Sequence, residues 1–307
     1  MELNRRDFLK ASAGTAGLAL IQPLNLGKTA SSSNGSSPQS ELAMLVDVSK
    51  CVSCWYCYAA CKQINNLPET VKPDTENPPP LAPDIWSTLY TTKINDRWRS
   101  RKQACMHCTD AACVKVCPTG ALHYNELGFV QYDKLKCSGC GYCTQYCPFG
   151  VPKLESDPVS GAGSMDKCIF CISLVTEGKP TACAAACPVG AIKFGNCSEL
   201  RTEGKQRVET LQQTNDQANF YGDSDVLGGL HVMYVLDESP EVYGLPKDPE
   251  LPAPAVVHDI IQWVGIGAVA AIVAGFSLNY LVARMRMGLD ERRKSYARRI
   301  SDRKANR

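Results

Sequence analysis

Sixteen of the 17 cysteines fall into four groups between residues 51 and 187, and this repeat constrains the fold more than any other feature. We call the groups motifs one to four, in chain order: Cys51, Cys54, Cys57 and Cys61; Cys105, Cys108, Cys113 and Cys117; Cys137, Cys140, Cys143 and Cys147; Cys168, Cys171, Cys183 and Cys187. Similar groups repeated along one chain are typical of duplicated units. We therefore expect four local sites in a domain of loops, short helices and small strands, rather than a disulfide framework for the whole chain.

The spacing within the motifs indicates what they bind. Motifs one and three read C-x2-C-x2-C-x3-C, which is the spacing of [4Fe–4S] sites in bacterial ferredoxins. Structural zinc usually takes two C-x2-C pairs, and the triple C-x2-C-x2-C is not a zinc spacing. Disulfides are possible in an exported chain but would not produce this repeat. Four [4Fe–4S] clusters are the leading interpretation, with zinc and disulfides as weaker alternatives.

The order of the motifs predicts how their cysteines are shared. In a ferredoxin with two clusters, the fourth cysteine of each motif ligates the other cluster. Motifs two and three are adjacent and would form one such pair, inserted within the pair formed by motifs one and four. The predicted ligand sets, called sites 1 to 4, are Cys51, Cys54, Cys57 and Cys187; Cys105, Cys108, Cys113 and Cys147; Cys137, Cys140, Cys143 and Cys117; Cys168, Cys171, Cys183 and Cys61. The predicted fold class is α+β, with two nested bacterial-ferredoxin-like units and one C-terminal transmembrane helix.

Residues 1–30 have the pattern of a twin-arginine export signal. Arg5 and Arg6 are followed by Phe-Leu-Lys and then by a mildly apolar run. The alternative is an ordinary amphipathic first helix. The twin-arginine route carries proteins that are already folded, and a labile inorganic cluster would require that route. Residues 31–41 are rich in serine and predict a flexible linker.

A second apolar segment lies near the other end of the chain. Residues 260–283 contain no charged residue, and as a helix they would span about 36 Å, enough to cross a bilayer. We predict a transmembrane helix over 256–283, against the alternative of a buried core helix. The many Lys and Arg residues of the tail, 284–307, place it in the cytoplasm by the positive-inside rule. The four-cluster domain, 42–195, and an extension contacting partners, 196–255, would then lie on the periplasmic side.

The segment between motifs one and two is long. Residues 62–104 are Pro-rich at 78–80 and are predicted to wrap a partner surface. Within them, residues 84–94 alternate like a strand, and a second short strand is expected at 128–133.

Other candidate side chains are weaker. His107 lies between two cysteines of motif two, where packing or hydrogen bonding is favoured over ligation because four cysteines are already available. Cys197 is interpreted as a small buried residue or a spare thiol. No residue pattern is catalytic, and the net charge of +2 does not favour a nucleic-acid partner. Four lysines near the motifs would either tune cluster charge or form solvated surface: Lys102, Lys136, Lys153 and Lys167.

Several stretches resemble a known family. KQACMHCTDAACVKVCPTGA, CSGCGYCTQYCPFGVPK and KCIFCISLVTEGKPTACAAACPVGAIKFG are similar to the four-cluster iron–sulfur subunits of molybdopterin oxidoreductases and their relatives. GGLHVMYVLDESPEVYGLPKDP, residues 228–249, resembles the segment before the membrane helix of formate dehydrogenase-N beta subunits. The resemblance covers about residues 42–283 and matches all sixteen motif cysteines.

The resemblance implies more than the spacing does. Such a beta subunit is not an enzyme by itself. It carries electrons from a large molybdenum or tungsten pterin catalytic subunit, through four clusters, to a membrane cytochrome b and quinone. One feature departs from the pattern, because in formate dehydrogenase-N the catalytic partner carries the export signal. An electron-transfer subunit of a membrane-bound NiFe hydrogenase, which carries its own signal, is therefore the alternative. A non-redox metal or disulfide protein anchored at the membrane is a third interpretation.

Overall fold

The structure is a computed structural model and describes residues 41–69, 71–156 and 163–305. The strands are β1 (Leu42–Asp47), β2 (Thr88–Ile94), β3 (Arg97–Gln103), β4 (Leu122–Tyr124), β5 (Val130–Tyr132), β6 (Lys153–Ser156), β7 (Gly163–Asp166), β8 (Ile192–Asn196), β9 (Asn219–Tyr221) and β10 (Val232–Leu236). The α-helices are α1 (Tyr56–Ile64), α2 (Ala112–Lys115), α3 (Tyr142–Tyr146), α4 (Ile172–Thr176), α5 (Ala182–Ala185), α6 (Cys197–Gln212) and α7 (Ala253–Ala305). The predicted export signal, 1–30, lies outside the described residues.

The central sheet has four strands in the order β8-β1-β10-β9. Strand β1 pairs antiparallel with β8 and parallel with β10, with Met44 opposite Val232. All five residues of β10 are buried, as expected for an inner strand covered on both faces. Because strand side chains alternate between faces, the sheet has two apolar sides.

One face of the sheet packs against helix α6. Ala43 and Leu45 of β1 and Val235 of β10 join Leu200 of the helix in one buried cluster. Asn196 caps the helix, and its side-chain oxygen accepts hydrogen bonds from the N–H groups of Ser198 and Glu199 at 2.9 and 3.3 Å. The opposite face of the sheet forms the main core with residues of the cysteine loops.

The predicted boundary at residue 195 falls within this sheet. Strands β1 and β8 belong to the predicted cluster domain, whereas β9 and β10 belong to the predicted extension, 196–255. The extension therefore also completes the core around the cysteine loops, in addition to any surface that it offers to partners.

The remaining strands form three antiparallel pairs, β2–β3, β4–β5 and β6–β7. The segment 62–104 contains the β2–β3 hairpin, whose turn residues Asn95 and Asp96 both have positive φ, as a type I′ turn requires. Strand β2 begins four residues later than the predicted strand 84–94, because residues 83–84 form a tight turn closed by the isolated bridge between Ala82 and Ile85. Strand β5 lies within the predicted strand 128–133 and pairs with β4.

Helix α7 is much longer than the predicted membrane segment. It runs from Ala253 to Ala305, so the basic tail continues the helix through the last described residue. Within it, Val264–Leu289 is a candidate membrane span with a mean hydropathy of 1.9, and none of that span is buried in the protein. This exposure does not match the buried core helix considered as the alternative. Near its beginning the helix packs inward, where Ala255 is fully buried.

Candidate metal-cluster sites

All four motifs begin with the same backbone turn. The second residue between the first two cysteines has positive φ in each case, at Ser53 (+54°), His107 (+47°), Gly139 (+69°) and Phe170 (+59°). Three of these residues carry a side chain, for which this conformation costs about 1–2 kcal/mol. A strained conformation that recurs at four equivalent positions indicates a shared structural requirement.

The turn directs backbone N–H groups at sulfur. The N–H of Phe170 donates to Cys168 Sγ at 3.4 Å. The N–H groups of Ser53, His107 and Gly139 donate in the same way to the first cysteine of their motifs. Successive N–H groups that face inward form the concave nests in which proteins hold anions and iron–sulfur clusters.

Site 1 combines cysteines from opposite ends of the repeat. Cys51, Cys54, Cys57 and Cys187 line one cavity, whose volume including its open mouth is about 390 Å³. The first three lie in the loop that leads into α1, and Cys187 follows α5. Helices α1 and α5 pack against each other, which brings the two ends of the repeat together.

Sites 3 and 4 have the same architecture. Their cavities measure about 330 and 320 Å³, again including the mouth. The site 3 cavity is lined by Cys117, Cys137, Cys140 and Cys143. The site 4 cavity is lined by Cys61, Cys168, Cys171 and Cys183. Each predicted set therefore surrounds one space, with three cysteines from one motif and the fourth from its partner motif.

Site 2 contains no exposed cysteine. The thiol of Cys108 interacts electrostatically with Cys105, Cys113 and Cys147, the three other members of the predicted set. Cys147 also packs in the apolar cluster that contains Cys105. The structure thus brings together all four members of every predicted set.

The cysteines are arranged for a group larger than one ion. Zinc takes its sulfur ligands at about 2.3 Å, and no three Cys, His, Asp or Glu residues in the described ranges converge in that way. None of the 17 cysteines, all of which the structure describes, forms a disulfide. Cavities bounded by four cysteines suit a four-iron cluster better than either alternative.

The pKa values of the buried thiols also favour a metal cluster at these sites. Burial raises the pKa of the Cys57 thiol to about 12 and that of Cys171 to about 11, and neighbouring cysteines add to both shifts. Buried thiolates repel one another, so a full set needs a cationic centre before it can ionise. An iron–sulfur core supplies that charge, since metal-bound thiols are deprotonated. The residues present therefore fit a [4Fe–4S] group.

The four sites follow one another in the order 1, 4, 2, 3. Cys57 of site 1 interacts electrostatically with Cys183 of site 4. Cys168 of site 4 interacts with Cys105 of site 2, and Cys113 of site 2 with Cys143 of site 3. Exposure varies along this order, because only the end sites contain an exposed cysteine, Cys54 in site 1 and Cys140 in site 3.

Two of the four lysines are buried, which the sequence did not predict. Lys102 and Lys167 are 3% and 2% exposed, so they do not form solvated surface. The Lys167 ammonium donates to the carbonyls of Val130 and Cys168 at 2.7 and 3.0 Å. Lys136 is largely exposed and pairs with Asp133, and Lys153 is half-buried. The period-two alternation expected of a strand could not have predicted the burial of Lys102. In β3 three consecutive residues, Ser100, Arg101 and Lys102, are buried.

His107 and Cys197 do not join the sulfur sets as further ligands. His107 is fully buried, with its ring 4.8 Å from that of Phe170 and 6.0 Å from that of Phe129. The packing role predicted for it agrees with this environment. Cys197 is buried at the start of α6 and packs with Ala43 and Leu45 on the opposite face of the sheet.

Comparison with known proteins identifies the cysteine region independently. Two family models described as 4Fe-4S dicluster domains match residues 50–121 and 97–197. A model of the twin-arginine translocation signal matches residues 2–21, which confirms the predicted export signal. Together with the apolar C-terminal helix, the signal indicates a membrane-anchored subunit that faces the periplasm.

Similarity over at least two thirds of the chain specifies the family. The formate dehydrogenase iron–sulfur subunit of Haemophilus influenzae is 35% identical over 255 residues, covering 78% of this chain and 80% of that protein. The nitrate-inducible formate dehydrogenase iron–sulfur subunit of Escherichia coli K12 is 37% identical over 225 residues, covering 69% and 75%. The hydrogenase-2 operon protein HybA of Escherichia coli O157:H7 is 34% identical over 231 residues, covering 67% and 66%. The chain belongs to the family of formate dehydrogenase iron–sulfur subunits.

Proposed function

We propose that sites 1 to 4 each hold one [4Fe–4S] cluster and that the chain carries electrons between a formate dehydrogenase catalytic subunit and a membrane partner. Each bound cluster would supply one-electron redox chemistry. The observation that carries the proposal is the grouping of the cysteines, three from one motif and one from its partner, at every site. The same grouping supports two nested ferredoxin-like units, with motifs two and three inside the pair formed by motifs one and four.

The protein's part in conduction is to hold the clusters in a line and to keep water away. Sites 4 and 2 lie in the middle, where Cys61, Cys171 and Cys183 of site 4 and Cys105 and Cys113 of site 2 are all buried. Burial excludes water from the inner sites, and hydrogen bonds to sulfur help to set cluster potentials. The order 1, 4, 2, 3 defines a path with an exposed cysteine at each end.

The two ends of the path would face different partners. Helix α7 contacts α2, which lies between Cys108 and Cys117 and so connects sites 2 and 3. Because α7 contains the candidate membrane span, site 3 is assigned to the membrane side, facing a cytochrome b or another quinone-reactive subunit. Site 1 then faces the catalytic subunit, and its cavity is rimmed by exposed Val52 and Val189. The family resemblance implies that this catalytic subunit holds molybdenum or tungsten on a pterin.

The same orientation applies to the whole chain. The export signal carries residues 42–255 to the periplasmic side, and the positive-inside rule keeps the basic tail, 284–307, in the cytoplasm. Residues 256–283 remain our proposed crossing, with 31–41 as a linker after the signal. Of the extension, 196–255, the exposed residues outside the core remain available to partners.

Single cysteine substitutions test the nested pairing. In the anaerobically purified complex, Cys61→Ser should remove the same EPR signal as Cys183→Ser, and a different signal from that removed by Cys57→Ser. If each motif instead held its own cluster, Cys61→Ser and Cys57→Ser would remove the same signal. Cys197→Ala is the matched control, since it deletes a buried thiol outside the sets and should retain every signal.

A second candidate is an electron-transfer subunit beside a hydrogenase. Two observations favour it: the similarity to HybA and the chain's own twin-arginine signal. Identification of the metal in the co-purifying large subunit separates the two functions. Molybdenum or tungsten supports formate oxidation as the electron source, and nickel would overturn that assignment in favour of hydrogen.

A further inference from the structure

Lys102 occupies the wall between two cysteine sites. Its side chain lines both the site 1 cavity and the site 4 cavity, and only 3% of the residue is exposed. The ammonium nitrogen donates a hydrogen bond to Ser87 Oγ at 2.9 Å. The position of Lys102 is thus fixed by a buried hydroxyl, and its charge faces two sets of sulfur atoms at once.

No carboxylate that the structure describes pairs with this charge. Among the described residues, neither Lys102 nor the adjacent buried Arg101 forms an ion pair with an acidic side chain. The Arg101 guanidinium donates to the carbonyl oxygens of Tyr243 and Lys102 at 2.9 and 3.2 Å. It also lies over the rings of Tyr90 and Tyr234. Two consecutive buried cations therefore lie in this part of the core, and their described polar partners are uncharged.

A buried charge without a partner is strongly unfavourable, so a negative group must compensate it. The sulfur atoms nearest the Lys102 ammonium can do so. Lys102 lines both cavities, and Cys57 of site 1 and Cys61, Cys168 and Cys183 of site 4 line the same two walls. With thiolate-ligated clusters in both sites, the ammonium group would face their negative charge.

We infer that Lys102 is a shared potential-setting residue, whose single fixed charge raises the reduction potentials of the clusters at sites 1 and 4 together. The inference rests on the proposed cluster occupancy of those sites. A [4Fe–4S] group with four thiolates is already negative, and reduction adds one more electron to it. A nearby cation stabilises the reduced form more than the oxidised form, and in a buried site solvent screens this effect only weakly. One charge between adjacent sites keeps their potentials high in parallel.

The chain offers close controls for this role. Lys136 also adjoins a cluster cysteine, Cys137, but its side chain is 59% exposed and is paired with Asp133. Lys167 is buried like Lys102, yet it interacts with Cys105 of site 2. The buried charge of Lys102 between sites 1 and 4, the buried charge of Lys167 near site 2 and the exposed charge of Lys136 can therefore be compared within one protein.

The test is an EPR-monitored redox titration of the whole purified complex at one pH. In Lys102→Gln, the signals removed by Cys57→Ser and by Cys183→Ser should both move to lower potential, while the site 3 signal stays in place. Lys102→Arg keeps the charge and should retain the parental potentials. Lys136→Gln should move no signal, and Lys167→Gln should lower the site 2 signal while leaving that of site 1 unchanged.

Other results would overturn the inference. Unchanged potentials in a Lys102→Gln protein with full iron content would show that the charge does not set them. Equal shifts in Lys102→Gln and Lys102→Arg, or loss of iron from both, would assign the effect to packing. If only Lys102→Gln loses iron from sites 1 and 4, the charge is needed to retain both clusters, and the assignment of Lys102 as a potential-setting residue is overturned. A parental protein with no iron–sulfur signal would instead refute the proposed function itself.

Discussion

Gly139 offers a quantitative test of the cluster loop at site 3. Its φ is +69°, and a Cβ added there would lie 2.5 Å from the backbone oxygen of Gly163 and 2.9 Å from its nitrogen. Alanine would pay about 1–2 kcal/mol for the left-handed backbone. The clash with strand β7 adds about 1–3 kcal/mol, as overpacking of a well-packed site usually does. Gly139→Ala should therefore destabilise the loop by about 2–5 kcal/mol.

Gly120 is the matched control. It has φ of +64° and also lies near site 3, but an added Cβ would meet no atom within 4 Å. Gly120→Ala should thus carry the backbone strain alone. The difference between the variants, about 1–3 kcal/mol, corresponds to a difference of about 5- to 150-fold in the population of the open loop.

Release of iron to a chelator measures this difference. The rate is followed in the anaerobic complex together with the EPR signal that Cys137→Ser removes. Gly139→Ala should lose the site 3 signal at least about fivefold faster than Gly120→Ala, while the site 1 signal persists in both. Equal rates in the two variants would refute the claim that the loop packs against β7 to hold the cluster.

Three further predictions follow from other contacts. Arg207→Ala removes the 3.0 Å ion pair with buried Asp47 and should destabilise the fold by about 1–3 kcal/mol, seen as a lower thermal midpoint with unchanged iron. Truncation after Pro252 removes α7 and should release the chain into the soluble periplasmic fraction with its clusters intact; retention in the membrane fraction would count against α7 as the anchor. Mild ferricyanide oxidation should bleach sites 1 and 3 first, because only they contain exposed cysteines, Cys54 and Cys140, and earlier loss at site 2 or 4 would contradict the order of exposure.

The grouping of the cysteines could be predicted because it depends on local spacing and one topological rule. Motif spacing determines which three cysteines share a loop. The fourth is assigned by the rule that, in ferredoxins with two clusters, the last cysteine of each motif ligates the other cluster. The cavities shared by Cys187 with motif one and by Cys61 with motif four agree with that reasoning. That these residues bind clusters remains a prediction, which the cysteine variants test.

Features that depend on contacts between distant parts of the chain could not be predicted from the sequence. Strand β10 pairs with β1 across almost the whole domain, and its buried run VMYVL carries no signal for its partner strand. The burial of Lys102 was equally hidden, because lysine is usually exposed and the cysteines that line the two cavities beside it are distant in the chain. The uncharged stretch 260–283 indicated a membrane span. The tail after it was interpreted only from its positive charges, so the sequence did not predict that helix α7 extends to Ala305, which depends on the helix propensity of the tail.

The most direct test of the central claim is the iron and acid-labile sulfide content of the anaerobically purified complex, measured together with its EPR spectrum. Four [4Fe–4S] clusters predict about sixteen irons and sixteen sulfides in this chain, beyond those of its partners, with four signals that reduce separately. Zinc in place of iron, or iron sufficient for only two clusters, would contradict the account of the chain as a four-cluster electron path.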